Sequence, residues 1–138
     1  MTRAVFVFRF FMIAALLAAV FAPAARADSG VPYIHSAREL YRITGSSPVP
    51  VVLQFDARWC GYCKALAPAM RSLYEQQGQR GIAVYRVDFD ENPDIVQDFG
   101  VRSLPTIFFI RDNTARDVNV GVLQPQQLFD WVEEAKRK

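Results

Sequence analysis

The chain is poor in soft ligands. It has two cysteines and one histidine in 138 residues. A structural zinc site normally takes four Cys, His, Asp or Glu ligands, and covalent haem needs His directly after the second Cys of its pair, where this chain has Lys64. No metal and no cofactor are therefore expected. Two cysteines three positions apart also exclude the long-loop disulfide framework that staples small secreted domains. After the first 22 residues no stretch is apolar enough to span a bilayer. There is no internal repeat, and no low-complexity tract beyond an Ala-rich start. Charge of one sign is missing too: 16 Lys and Arg stand against 14 Asp and Glu, which argues against a nucleic-acid surface.

What is present begins with a processing signal. Arg3 and Arg9 make a short positive start, Phe10 to Ala22 is an apolar run, and Ala25-Arg26-Ala27 puts small residues at the cleavage-determining positions. That layout predicts a secretory signal peptide over 1–27, cut before Asp28, and a mature domain over 28–138 outside the cytoplasm. An uncleaved anchor is the alternative, although the run is short for a membrane span. Arg3, Arg9 and Arg26 would leave with the signal, so 13 basic residues would face 14 acidic ones. The remaining 111 residues suit one domain with one ordinary hydrophobic core.

Ser36 can cap a helix over 37–43. Residues 50–55 (PVVLQF) read as a buried strand, and a helix follows to about Gln77, with Leu66, Ala67, Met70, Leu73 and Tyr74 at helical spacing and Gly78 and Gly81 ending it. Residues 82–89 (IAVYRVDF) predict a second strand. Asn92 and Pro93 open a short helix that Gly100 stops. Residues 106–110 and 117–120 predict a hairpin turning at Asp112-Asn113. Gln124-Pro125 opens a last helix with Leu128, Trp131, Val132 and Ala135 as its apolar stripe. The lone His35 reads as an ordinary strand-end residue. Alternation of strand and helix implies a parallel βαβ unit with a right-handed crossover, and the hairpin adds antiparallel strands. The expected fold is α/β: a mixed sheet of four to five strands with helices on both faces.

Trp59-Cys60-Gly61-Tyr62-Cys63-Lys64 falls where a buried strand meets a helix start. Free N–H groups and the dipole of a first helical turn favour an anion there, and thiolate is the reactive form of Cys. Cys60 is expected at the exposed first-turn position as the attacking thiol. Cys63, one turn on and further inside, would attack the mixed disulfide and release the substrate. A disulfide between them closes a tiny loop worth roughly 2 kcal/mol, so chemistry explains the pair better than stapling. An inert bridge and a docking module with an incidental pair remain as alternatives.

At this point the sequence resembles the thioredoxin superfamily over essentially the whole predicted mature chain. Residues 59–64 look like its WCxxCK active site, and Pro68 falls where the family kinks its active-site helix. Asp90-Glu91-Asn92-Pro93 resembles its D-x-N-P turn, and residues 99–106 (FGVRSLPT) resemble its YGIRGIPT segment. Val120-Gly121 matches the Val-Gly of the substrate groove. The resemblance implies a thioredoxin-like fold and thiol–disulfide oxidoreductase activity on thiols or disulfides of client proteins. It also implies a cis bond before Pro105 that faces the cysteines, and substrate backbone pairing around Leu104. Trp59, Tyr62, Leu104, Val120 and Gly121 would then form an apolar docking surface, with core packing as the other reading of Trp59.

Two departures matter. Thioredoxins carry a buried Asp six residues before the first Cys, and protein disulfide isomerases carry Glu there; this chain has Gln54, which cannot titrate. Proton handling at Cys63 is then expected to fall to Asp56, two residues on and on the same strand face, or to a water; the other reading makes Asp56 an ordinary solvated strand-end charge. Gly61-Tyr62 replaces the Gly-Pro of thioredoxin and is similar to the active site of periplasmic disulfide isomerases. Those add a dimerisation domain for which this chain has no room. The expectation is a monomeric periplasmic thioredoxin-like protein with a CGYC site and a membrane or periplasmic redox partner.

Overall fold

A computed structural model describes residues 28–138. The signal-peptide assignment over 1–27 lies outside the described residues. The elements in chain order are β1 (Tyr33–Ile34), α1 (Ala37–Ser46), β2 (Val51–Asp56), α2 (Gly61–Glu75), α3 (Gln77–Arg80), β3 (Ala83–Asp88), α4 (Pro93–Asp98), β4 (Thr106–Arg111), β5 (Thr114–Val120) and α5 (Pro125–Ala135). One five-stranded sheet runs β1-β3-β2-β4-β5. The first three of these strands are parallel, and β4 and β5 are antiparallel to their neighbours.

The central strand β2 is buried along its whole length, as its apolar run requires. Its alternate side chains feed two cores. Val51, Leu53 and Phe55 join Leu40 of α1 and Ile95 of α4 on one face. There Phe55, Phe99 and Phe108 pack with ring centroids 5.0–5.7 Å apart. Val52 points the other way, into a core with Leu66, Met70 and Leu73 of α2 and Leu128, Val132 and Ala135 of α5. Gln54 and Asp56 share Val52's parity, so they lie on the α2 side of the sheet.

Several boundaries differ from the sequence reading, each for a local reason. The two-residue β1 is too short to carry a periodic signal, and His35 follows it, exposed. The active-site helix breaks at Gln76, and Gly78 sits inside α3; Gly81, at φ 60°, is the stop. Asn92 occupies the cap position of α4, but its side chain makes no cap; it donates instead to the carbonyl of Asp88 at 3.0 Å. Strand β5 starts at Thr114 because the tight turn places both Asp112 and Asn113 at positive φ, 52° and 57°, which joins the strands with only two residues. Ser36 caps α1 as expected, accepting from the Glu39 N–H at 3.2 Å.

Topology decides what meets what. β2 pairs antiparallel with β4, with Phe55 opposite Thr106, so the loop leaving β2 lies beside the loop entering β4. Val120 pairs with Thr106 on the other side, and Gly121 N–H donates to the Pro105 carbonyl at 2.9 Å. Cys60, Pro105 and Gly121 are thereby gathered at one end of the sheet, where β2 ends and β4 begins, from three distant parts of the chain.

Candidate active site

Cys60 is the N-cap residue of α2, and its Sγ accepts from the Cys63 N–H at 3.1 Å. The two cysteines are joined as a disulfide with their Cα atoms 5.2 Å apart. No acidic residue stands in the first turn of α2, so nothing there offsets the field that favours a thiolate. Pro68 lies inside the helix, as the resemblance implied. One expectation is corrected: Cys60 is not exposed. Cys60 and Cys63 are 4% and 5% accessible, because Ala57, Phe89 and Leu104 pack over the pair. What separates them is surroundings. Only Cys63 borders an open cleft of about 720 Å³ whose wall also includes Gln54, Asp56, Ala67 and Arg86.

The flanking residues stand outward. Trp59 is 66% exposed and Tyr62 73%, so core packing is not the role of Trp59. The indole Nε1–H donates to Asp90 at 2.8 Å. That contact follows from the D-x-N-P turn: Asp88 Oδ1 accepts from the N–H groups of Asp90 and Glu91 at 2.9 and 3.1 Å, which sets the turn and aims Asp90 at Trp59. Gly61 and Lys64, in the first turn of α2, are exposed. The Leu104–Pro105 bond is cis. Leu104 is half-buried against the cysteines, Pro105 is buried, and Val120 is 62% exposed beside Gly121 at φ 104°.

Asp56 is not a solvated strand-end charge. It is buried, and Tyr33 Oη–H donates to both its carboxylate oxygens at 3.1 and 3.3 Å. Arg86 Nη1 lies 3.4 Å from it. Burial pushes the Asp56 pKa up to about 6; the Arg86 charge and the Tyr33 hydrogen bond pull against that rise, and the neighbouring Asp88 carboxylate adds to it. Burial and the facing Asp56 push Tyr33 in turn up to about 12.

Arg86 is the hub of this cluster. Its Nε donates to the Val31 carbonyl at 2.8 Å, Nη2 meets Asp28 at 2.7 Å, and the guanidinium stacks 4.0 Å from the Tyr33 ring centroid. Sequence reasoning missed Tyr33, Arg86 and Asp28. Arg86 left a signal, a cation inside the run IAVYRVDF, which a buried strand tolerates only with a partner. In the parallel register Tyr33 and Gln54 flank Arg86 on β1 and β2.

A buried carboxyl with a raised pKa has a stability signature. Between the unfolded value of 3.8 and about 6 the folded protein holds a proton on Asp56 that the unfolded chain releases. The Asp56 contribution to stability is therefore largest below pH 4 and falls as pH rises through 6. Chemical denaturation of wild type and Asp56→Asn across pH 4–7 should show the wild type losing ground to the variant as pH rises. Parallel curves would mean an ordinary carboxyl.

A strand-to-helix CxxC facing a cis-proline loop defines a thiol–disulfide exchange centre on an α/β scaffold. The thioredoxin family profile matches residues 35–134. A thioredoxin from Rickettsia felis is 34% identical over 89 residues, 64% of this chain and 84% of that protein. One from Rhodospirillum rubrum is 36% identical over 84 residues, covering 61% and 80%. The solved thioredoxin of Malassezia sympodialis superposes with a TM-score of 0.69 at 30% identity, over 76% of this chain and 90% of that one. The chain belongs to the thioredoxin family. Its fold is thioredoxin-like, and its dithiol pair with these relatives supports thiol–disulfide oxidoreductase activity.

Proposed function

We propose that the protein exchanges electrons between its Cys60/Cys63 dithiol and the disulfides or thiols of secreted client proteins, through a mixed disulfide on Cys60. The observation that carries this reading is the asymmetry around the pair. Cys60 caps α2 next to the exposed Trp59 and Tyr62, while Cys63 borders the cleft that holds Asp56. An extended client strand would lie along Leu104, Pro105, Val120 and Gly121, pairing with backbone at Leu104 while Trp59 and Tyr62 supply apolar contact. The CGYC sequence and the 1–27 segment support a periplasmic protein recharged by a membrane or periplasmic partner.

Alkylation of the reduced protein across pH tests the activity. One cysteine should react with a depressed apparent pKa and the other slowly. Two ordinary, equally slow thiols would favour a docking module with an incidental disulfide. Location has its own test: N-terminal sequencing of the exported protein should begin at Asp28, and an intact Met1 or Thr2 terminus in the membrane fraction would favour an anchor.

A further inference from the structure

Gln54 stands out among buried polar groups. Its side chain is 1% accessible, and among the described residues its Oε1 is the one buried side-chain oxygen or nitrogen without a hydrogen-bond partner. Buried acceptors are almost always satisfied, so an orphan at an active site asks for a donor that another state supplies. The parity of β2 puts Gln54 on the face that α2 covers, and Gln54 and Cys63 border the same cleft. Near neighbours on that face are already engaged. Arg86 donates to Val31, Asp56 and Asp28, and the Tyr33 hydroxyl donates to Asp56.

We propose that Gln54 is a redox-tuning residue whose Oε1 accepts a hydrogen bond from the Cys63 thiol in the reduced protein. This rests on the exchange reading above. In the disulfide form Cys63 has no S–H to give. Reduction by two small thiols breaks the Cys60–Cys63 bond, forms one external disulfide, and leaves two electrons on the pair; one of the two protons goes to Cys63 Sγ and the other to solvent, leaving Cys60 as thiolate. The Cys63 S–H is the missing donor. The orphan acceptor thus penalises the oxidised form and is relieved in the reduced one. An amide has no charge, so it holds the thiol in place without taking its proton. A carboxylate at the same position could take it.

The expected consequence is a more oxidising couple than an apolar residue at 54 would give. Gln54→Leu removes the acceptor at similar volume, and Gln54→Met is a second variant should Leu pack badly. Equilibration of each with reduced and oxidised glutathione should shift the protein about tenfold toward the disulfide, which for two electrons is about 30 mV more negative. Denaturation of both redox forms provides the cross-check: the oxidised variant should gain stability relative to wild type by more than the reduced variant does. An unchanged potential, or equal stability shifts in both forms, would make Gln54 a packing residue and overturn the inference while leaving exchange intact. A wild-type protein that never equilibrates with glutathione would overturn both.

Discussion

Cys60→Ser should abolish disulfide exchange, with a loss on the order of 10³-fold or more, whereas Cys63→Ser should trap clients as stable mixed disulfides. The two thiols are equally buried in the disulfide, so accessibility does not tell them apart. Position does. Cys60 Sγ lies at the N-terminus of a 15-residue helix and already accepts the Cys63 N–H at 3.1 Å. When the disulfide opens, negative charge on Cys60 is met by that donor and by the helix field. Cys63 lies within the first turn as N3 and has the cleft behind it. Once Cys60 is bonded to a client, only Cys63 stands within disulfide reach to release it. Mass spectrometry of adducts from cells expressing each variant checks the assignment. Equal trapping by both would sink it.

Asp56→Asn should slow release of a mixed disulfide by about 100-fold near neutral pH, the scale of a positioned general base. Resolution needs Cys63 as thiolate, and burial raises a thiol's pKa. Gln54 cannot take the proton. Asp56, with a pKa of about 6, is mostly carboxylate at pH 7 yet basic enough to matter. It shares the cleft with Cys63, so a bridging water can carry the proton between them. The wild-type pH–rate profile should show an inflection near 6 that Asp56→Asn lacks, and the two profiles should converge at high pH, where Cys63 ionises unaided. Tyr33→Phe removes a hydrogen bond that favours the charged carboxylate, so it should move the inflection upward. Gln54→Asp should speed resolution, at some cost in stability from a second buried carboxylate. If Asp56→Asn leaves the profile unchanged, solvent alone handles the proton.

These two expectations draw on different levels of the molecule. The cysteine pair, the strand before it and the helix after it are local. An apolar run, a CxxC and a 3.6-residue stripe lie within about 25 consecutive residues, so periodicity and capping chemistry are enough to find them. Pro105 was found through its segment resemblance, and Trp59 through its motif; for both, the surroundings came only with the fold. Trp59 points outward because a turn some 30 residues later supplies Asp90 to its indole.

The sequence by itself determined the class of fold, the reactive pair, the missing carboxylate at position 54 and the shared parity of Gln54 and Asp56. Each is written in adjacent residues or in a period of two. The tertiary structure decided that Asp56 is buried rather than solvated, that Arg86, Tyr33 and Asp28 surround it, that the Gln54 amide oxygen has no partner, and that Cys60 is covered. The Asp56 cluster depends on β1 pairing with β3 and β3 with β2, which brings residues 28, 33, 56 and 86 together, and the cover on Cys60 needs β2 pairing with β4 as well, which brings Leu104 to it. A two-residue strand leaves no periodic trace, and a charge inside an apolar strand shows that a partner is needed without saying which. Burial, and with it the raised pKa of Asp56, is set by those long-range contacts.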